Sequence, residues 1–570
     1  MKRFGTGGRK LGIPPRKLVE AAILTALCIV LLVIEVKMCT IPADKLPNAD
    51  TLLQEPVNDA DVGFAPVCTA QTNPANLISS SEVLLNGALC EDYQAAEPIT
   101  FGTGGEYTDM TGIVTFRGDN FRSGAAYGAA DLTEKKLETK WTVNSSSLQA
   151  PDGEVWTGSG WTGQPLIVTW PKTTRQVMNL KDWAKAQDTL TEVIYATMDG
   201  HVYFLELETG KATRDPLFLG FTFKGAGALD PRGYPILYVG AGYNSAKGAG
   251  RAMAVSLIDG SVLYELGAGD GFALRPWSMY DASPLVDAET DQLIYPGENG
   301  VLYIVKLHTQ YDEAAGTLTM TPDEPVRWRY SGTRTGQKYW VGMEDSPVIW
   351  REYLIIGDNG GNLMCLNLNT LRLAWVQDVL DDTNCTPVLE LEDGHPYVYV
   401  STSFHAGWRA AENSTATVPV WKINAVNGEI VWQTDYTCYT QSGVSGGVQG
   451  TIALGKNKLS NLIFVPVART GNTASAGKLV ALDKQTGEAV WTFDTAVYSW
   501  SSPVDFYDSE GNGYLIYCTS GGYMYLLDGA TGEKLDAIDL NGNIEASAAV
   551  FNNMVVVGHR SQKIFGIALT

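Results

Sequence analysis

The chain is short of the residues that many enzymes and nucleic-acid-binding proteins concentrate. It has five histidines among 570 residues, and none of them has the spacing of a metal-ligand pair. Its 41 basic residues are outnumbered by 63 acidic ones, which gives a net charge of -22. It also lacks the glycine-rich loop that ends in Lys-Ser or Lys-Thr. These absences argue against a histidine-bound metal enzyme, a phosphate-loop nucleotide enzyme and a protein that binds nucleic acid through its phosphates.

What the chain does contain is a repeated turn signature. The fullest copy covers residues 482–491, with apolar alternation before it, an Asp-Lys-Gln-Thr-Gly turn and Trp491 after it. A second copy covers residues 423–432, and weaker copies occur at 205–211, 257–261 and 527–533. The glycine of each turn supplies the positive φ that a tight hairpin requires. A repeat of this length indicates an array of small sheets.

Two further strands precede each turn, so each unit contains four short strands, as in a propeller blade. In one unit, residues 502–506 and 514–518 form these strands. Seven such units can be counted, and residues 544–570 supply three strands of another. We expect Glu138 to Val143 to provide its missing fourth strand and to close the ring. The prediction is an all-β fold, an eight-bladed β-propeller of four-stranded antiparallel blades over residues 111–570; seven blades remain the alternative if one unit is irregular.

A tryptophan follows the turn in several units and is expected to pack against the next blade. We interpret these tryptophans as structural residues that dock neighbouring blades. Asp536 and Arg214 occupy the same place in two other units, so those two interfaces must be held differently. The predicted docking residues are Trp141, Trp375, Trp432 and Trp491.

The turn signature, together with the segment Thr115 to Gly124, resembles the quinoprotein (PQQ-like) repeat propellers. This family includes quinone-dependent alcohol dehydrogenases and the propeller subunit of the bacterial outer-membrane assembly machine. The resemblance covers roughly residues 110–570 and implies a fold more than an activity, because function resides in sites carried on the fold. The chain resembles the assembly subunit more than the dehydrogenases.

The dehydrogenases of this family hold their quinone on the propeller axis, commonly with two adjacent cysteines, a tryptophan floor and a calcium ion. This chain has no Cys-Cys pair and no Cys-x-x-Cys-His haem attachment sequence. We therefore expect no cofactor, no metal and no catalytic residue, with PQQ or calcium as the alternative.

The N-terminal region differs from the repeats. Residues 1–17 carry six basic residues and no acidic one, and residues 18–38 are largely apolar. A helix needs about 20 residues to cross a bilayer, and a basic flank stays in the cytoplasm. We predict a single-pass cell-membrane anchor at 18–38, with the propeller extracytoplasmic and residues 39–110 forming a stalk. A cleaved signal peptide is the alternative.

The region beyond residue 17 is strongly acidic. It contains 35 basic and 63 acidic residues, a net charge of -28. Such a charge suits a soluble extracytoplasmic domain. In an oxidising compartment Cys68 and Cys90 are candidates for a disulfide, although spacing alone does not establish the connectivity.

Loops between strands are expected to open on one face of the ring and to form a funnel. Aromatic rings with charges and amides there could hold a sugar, a peptide strand or a small ligand; the alternative is that the tryptophans plug the channel. The adjacent acids 344–345 and 381–382 are interpreted as solvated loop acids. The candidate ligand-binding residues are Trp161, Trp277, Trp340, Glu344, Trp408, Arg469, Trp500 and Arg560.

The function predicted from these observations is a membrane-anchored extracytoplasmic β-propeller that acts as a non-catalytic binding scaffold. Its partners would be the membrane, through the N-terminal helix, and a protein or an envelope polymer on one propeller face, but not nucleic acid. The alternative function is a quinone- or metal-dependent oxidoreductase with a degenerate cofactor site. A polysaccharide lyase or hydrolase with acids in the funnel is a weaker third hypothesis.

Overall fold

A computed structural model describes residues 64–160, 163–334, 341–405, 409, 413–471 and 473–570. The predicted cytoplasmic segment 1–17 and membrane anchor 18–38 lie outside these residues. Among the helices that the structure does describe, none has both the length and the apolar character needed to cross a membrane. The α-helices Lys172–Val177 and Asp182–Ala186 are both shorter than two turns.

Eight sheets account for most of the described chain, each with four blade strands and three of them extended by further strands, so the predicted all-β, eight-bladed propeller is confirmed. We number the blades in chain order, and number the strands of each blade outward from its first strand. The strands of blades 1 to 4 are Leu166–Thr169, Thr191–Ala196, His201–Glu206 and Leu217–Phe218; Ala228–Leu229, Ile236–Gly240, Ala252–Ser256 and Val262–Leu266; Leu285–Asp287, Gln292–Pro296, Val301–Lys306 and Val326–Gly332; Val348–Trp350, Tyr353–Gly357, Asn362–Asn367 and Arg372–Asp378.

The second half of the ring repeats this pattern. The strands of blades 5 to 8 are Val388–Glu392, His395–Ser401, Ser414–Asn424 and Ile430–Thr440; Ala453–Leu454, Leu462–Val467, Gly477–Asp483 and Ala489–Thr495; Val504–Tyr507, Gly513–Cys518, Tyr523–Asp528 and Lys534–Asp539; Ala549–Phe551, Met554–His559, Lys563–Leu569 and Leu137–Asn144.

The two ends of the repeat region meet in blade 8. Leu137–Asn144 pairs antiparallel with Lys563–Leu569, the last strand of the chain. The strand predicted at 138–143 therefore closes the ring, as expected from the sequence. Closure pairs two strand edges that would otherwise be exposed to other chains.

Each of the four predicted docking tryptophans contacts the turn of the following blade. The indole Nε1 of Trp375 donates to the carbonyl of Ala425 over 2.8 Å, and its ring covers Gly428. The other three indoles donate in the same way to equivalent turns. Their acceptors are Leu207 for Trp141, Lys484 for Trp432 and Gly529 for Trp491.

Blades 1 and 7, which carry Arg214 and Asp536 in place of this tryptophan, use polar contacts instead. Arg214 in blade 1 donates to the carbonyl of Leu257 over 2.7 Å, in the turn of blade 2. Its charge is balanced by buried Glu192 at 2.7 Å. In blade 7, Asp536 accepts from the backbone N–H of Leu137 over 2.8 Å, in the last strand of blade 8.

The segment from Gly112 to Tyr127 crosses the ring and shows where its axis lies. Its backbone carbonyls accept hydrogen bonds from one residue in the first strand of each of blades 2, 4, 5 and 8. The donors are the N–H groups of Leu229, Ile349, Leu389 and Val550. Because one short segment can reach so many blades only where they converge, the first strands line the axis and this segment closes the channel at one end.

Residues 64–107 pack against the propeller instead of forming a free stalk. Ile78–Leu85 adds to the outer strand of blade 3, and Ala88–Cys90 pairs with it in turn. The segment is held by burial of apolar side chains, with Ile99 fully buried and Phe101 nearly so. The predicted stalk 39–110 is therefore corrected from Phe64 onward, where the chain is part of the propeller unit.

Cys68 and Cys90, the candidates for a disulfide, are both free thiols in the structure. The reason is their placement on different blades. Cys68 follows Val67, whose N–H donates to the carbonyl of Val426 in the turn of blade 5. Cys90 pairs with Val83 at the outer edge of blade 3.

Candidate functional site

One repeat position brings polar side chains to the axis. This position lies four residues before the first strand of each blade, where the chain enters the channel. The residues there in blades 2, 3 and 4 are Lys224, Asp281 and Glu344. In blades 5 to 8 they are Asn384, Gln449, Trp500 and Glu545.

A second repeat position comes from the turn between the second and third strands. Glu298 in blade 3 and Asn359 in blade 4 both occupy it, each two residues before a glycine with positive φ. Asn359 donates to Glu344 Oε2 over 3.2 Å and to Asp382 Oδ1 over 2.9 Å. The two positions therefore meet at the axis.

Asp281, Glu298 and Glu344 each offer a carboxylate oxygen, and these oxygens all lie within 4.8 Å of one another. Lys224 Nζ lies 3.2 Å from Asp281 Oδ2. We call these four residues the axial cluster. The Asp281 side chain is fully buried, and its Oδ1 has no hydrogen-bond partner among the described residues.

Burial and mutual repulsion shift the protonation of the axial cluster. Burial, and then the charge of Asp281, raise the pKa of Glu298 to about 7. Burial, and then Glu298, Asp382 and Asp281, raise the pKa of Glu344 well above its ordinary value. Burial alone would lower the pKa of Lys224, but the neighbouring carboxylates raise it. The axial cluster therefore contains more carboxyl groups than its own lysine can balance if all of them ionise, which is why their ionisation is disfavoured.

Arg275 connects the axial cluster to an aromatic ring at the mouth of the site. Its Nη1 donates to Asn359 Oδ1 over 2.6 Å. Its guanidinium lies 3.8 Å from the ring centroid of Trp277, which is partly exposed. A second ring approaches from the hairpin strand Val155–Thr157 before blade 1, where the ring centroid of Trp156 lies 5.2 Å from Lys224 Nζ.

The acids of residues 381 and 382 pair with a histidine from blade 5. His405 Nδ1 lies 3.3 Å from Asp381 Oδ1, and Nε2 lies 3.4 Å from Asp382 Oδ2. Burial alone would lower the pKa of His405, but the two aspartates raise it. Arg409 also contacts Asp381, with Nε at 3.0 Å.

The interpretation of these acids as solvated loop residues was therefore wrong for three of the four. Asp345, Asp381 and Asp382 are all buried. Burial, partly opposed by the Gly357 N–H, raises the pKa of Asp345 well above its ordinary value. The reason is the path of the chain, since the loop that precedes each first strand enters the channel and not the solvent.

The structure brings some of the predicted ligand-binding residues together and separates others. Trp277 and Glu344 both belong to the axial region. Arg469 and Trp500 lie near each other, since both are close to Tyr498. The ring centroid of Tyr498 is 5.7 Å from the Arg469 guanidinium and 5.6 Å from the ring centroid of Trp500. Arg560 instead pairs with Glu545 in blade 8 at 3.2 Å. Trp161, Trp340 and Trp408 lie outside the described residues.

Sequence reasoning missed Lys224, Asp281 and Arg275. The signal was present for the first two, because both stand at the same distance from a blade's first strand as Glu344 and Trp500. Arg275 occupies no repeated position, and only the folded structure places it beside Asn359.

The residues at the axis fit a cation better than they fit a quinone. Three carboxylates with one unpartnered buried oxygen are the hard donors that calcium prefers. Nothing in the sequence supplies the adjacent cysteines that the resemblance associates with a quinone.

Comparisons with known proteins agree with the fold. A family profile described as outer membrane protein assembly factor BamB matches residues 326–492. A curated protein of that name from Kangiella koreensis is 24% identical over 190 residues, which are 33% of this chain. The match spans 40% of that relative's length.

Two solved structures are similar to this chain at low identity. A quinohemoprotein alcohol dehydrogenase from Pseudomonas putida HK5 is 12% identical with a TM-score of 0.52, covering 80% of each chain. BamB from Moraxella catarrhalis is 15% identical with a TM-score of 0.42, covering 75% of this chain and 98% of its own. The chain is thus a β-propeller that is similar to the BamB family over residues 326–492.

Proposed function

Starting from a PQQ-like propeller that resembles an assembly factor, we propose that this protein is a non-catalytic binding scaffold outside the cytoplasmic membrane. It holds a protein partner on the face that contains the axial cluster. The observation that carries the proposal is the convergence there of side chains from blades 2, 3, 4 and 5 around partly exposed Glu344 and Trp277. The name of the curated relative, an assembly factor, favours a protein as the ligand.

The proposal includes membrane attachment through residues 18–38, with the basic segment 1–17 in the cytoplasm. The support is the apolar run and the charge asymmetry around it. Protease treatment of intact cells tests this arrangement. The propeller should be digested from outside while a tag before Met1 stays protected; protection of the propeller would contradict it.

Site-specific photo-cross-linking in cells tests the binding face. A photoreactive amino acid replaces Trp277 or Trp500, both partly exposed on the proposed face. The matched control positions are Val431 and Val490 on the outer rim, which are 48% and 53% exposed. We expect a discrete protein adduct from the two face positions and none from the rim. Equal adducts from face and rim would contradict a specific binding face.

A cation-dependent oxidoreductase is a second candidate, and the axial cluster is the observation that favours it. Asp281, Glu298 and Glu344 would hold a calcium ion, and the ion would act there as a Lewis acid towards a bound quinone. Lys224 and Arg275 would then orient anionic groups of that quinone. Calcium with quinone should raise the melting temperature of the wild type and not of Glu344→Gln; no shift in the wild type would contradict this candidate.

A further inference from the structure

We propose that the axial cluster is a receptor for one basic side chain, a lysine or an arginine, of the protein partner. The inference rests on the proposed scaffold function and deepens it by naming the chemistry that the binding face recognises. An extended partner segment would lie across the funnel and insert its ammonium or guanidinium group between Glu298 and Glu344.

Acidic groups outnumber basic groups around the axis. Within the axial cluster, three carboxylates face the single ammonium of Lys224. Around it, Arg275 adds a positive charge near Glu298, while Asp382 is paired with His405 at 3.4 Å. Four carboxyl groups therefore face three basic groups. A ligand with one positive charge would favour the ionised forms of Glu298 and Glu344, which burial and mutual repulsion disfavour.

One buried oxygen lacks a partner inside the site. Neither oxygen of the fully buried Asp281 side chain has a hydrogen-bond partner among the described residues, and only Oδ2 has an ion pair, with Lys224 Nζ at 3.2 Å. A buried carboxylate oxygen without a donor is costly. An ammonium or guanidinium group brings several N–H donors to such an oxygen, so its binding would relieve this cost.

The opening of the site suits a long basic side chain. Glu344 is partly exposed, while Glu298 and Asp281 are 3% and 2% exposed and lie deeper. The chain between backbone and charge in lysine and arginine is apolar and flexible. Such a chain can pass partly exposed Trp277, whose neighbour Arg275 reaches Asn359 and through it Glu344.

The resident lysine favours a single charge over a divalent ion. Lys224 Nζ already lies 3.2 Å from one oxygen of Asp281. A divalent ion placed among the same oxygens would meet its repulsion at close range. The strongly acidic character of the whole chain, with a net charge of -22, also attracts a basic partner.

Peptide binding by the full-length protein in detergent micelles tests the inference. The probes are acetyl-Ala-Ala-Lys-Ala-Ala-amide, its arginine form and its acetyl-lysine form, measured by calorimetry at low salt. We expect the lysine and arginine peptides to bind, and the acetyl-lysine peptide to bind at least about ten-fold more weakly, because it lacks the charge. Equal binding of the acetyl-lysine peptide would overturn the inference.

Two variants locate the binding. Glu344→Gln and Glu298→Gln should each weaken the lysine peptide about ten-fold or more. The matched control is Glu134→Gln, an exposed glutamate with 67% of its side chain accessible, which should leave binding unchanged. Unchanged binding in both site variants, or an equal loss in the control, would show that the peptide binds through the overall negative charge of the protein and not at the axial cluster, which would overturn the inference.

A calcium titration distinguishes the rival occupant. If calcium binds the wild type but not Glu344→Gln and displaces the lysine peptide, the axial cluster is a metal site and the inference fails. Cross-linking at Trp500 separates this failure from that of the scaffold function. If cross-linked adducts still form while the lysine peptide does not bind, the scaffold function stands and only the proposal that the axial cluster binds a basic side chain is rejected.

Discussion

At the scale of residues, the charges at the axis stabilise one another, and removing one should be costly. Lys224→Met would leave Asp281 and its neighbours without their ammonium. We expect a loss of about 3 kcal/mol or more in the free energy of unfolding, as for other broken buried pairs. Urea unfolding measures it, with Lys136→Met as the control, because 65% of the Lys136 side chain is exposed. A loss below that of the control would contradict the buried pairing.

A second residue-scale prediction concerns pH. His559 is 1% exposed beside Phe565, and burial lowers its pKa below the ordinary 6.5. The unfolded chain therefore binds a proton near pH 6.5 that the folded chain does not, so this histidine lowers stability as pH falls through that value. His559→Gln should flatten the decline in the melting temperature between pH 7 and pH 5, since about pH 6.5 is the unfolded pKa. An unchanged decline would show that other groups cause it.

At the scale of elements, the segment across the channel depends on its arginines. Arg122 is fully buried and donates to the carbonyls of Pro347, Ser283 and Phe116 and to Thr115 Oγ1. Burial lowers its pKa to about 10. The segment therefore joins the first strands of blades 3 and 4 at the axis.

Arg122→Met should be among the most destabilising single substitutions in the chain. It leaves several buried carbonyls without donors, each costing about 1–3 kcal/mol. We expect a loss of about 3 kcal/mol or more, measured by urea unfolding. Arg372→Met is the matched control, because 66% of that side chain is exposed, and it should change stability by less than about 1 kcal/mol. Equal effects of the two variants would contradict the role of the segment.

At the scale of the whole molecule, the ring is closed by the pairing of the last strand with Leu137–Asn144. Gly566→Val tests this closure. A Cβ atom at Gly566 would approach the ring of Trp141 to 2.0 Å, so the side chain would displace the indole and disturb the paired strands. We expect a lower melting temperature and association into larger species, because opened strand edges pair with other chains. Size-exclusion chromatography measures the association.

The matched control for closure is Gly271→Val. A Cβ atom at Gly271 would meet no other atom within 4 Å, and the φ of this glycine is not positive, so valine fits there without displacement. The control should remain monodisperse at the melting temperature of the wild type. A monodisperse, fully stable Gly566→Val protein would contradict the closure.

The fold was predictable from the sequence to a large extent, and the site much less so. Hairpin turns and alternating strands are local patterns, so a turn such as Thr486-Gly487 signals a blade wherever it occurs. The axial cluster joins Lys224 to Glu344 across 120 positions of chain, which no local pattern expresses. Only Glu344 and Trp277 of this region were predicted to bind a ligand.

The sequence by itself determined the kind and order of the blades, the strand that closes the ring and the tryptophan that follows many of the turns, while the structure decided between eight blades and seven. These features depend on short-range interactions, because glycine permits the tight turns and the alternation of apolar and polar residues sets which face of each strand is buried. Only the tertiary structure decided which side chains meet at the axis, that residues 64–107 lie against the blades, and that Cys68 and Cys90 stay apart. The reason is that these contacts depend on how the ring closes in space, which the repeats do not encode locally.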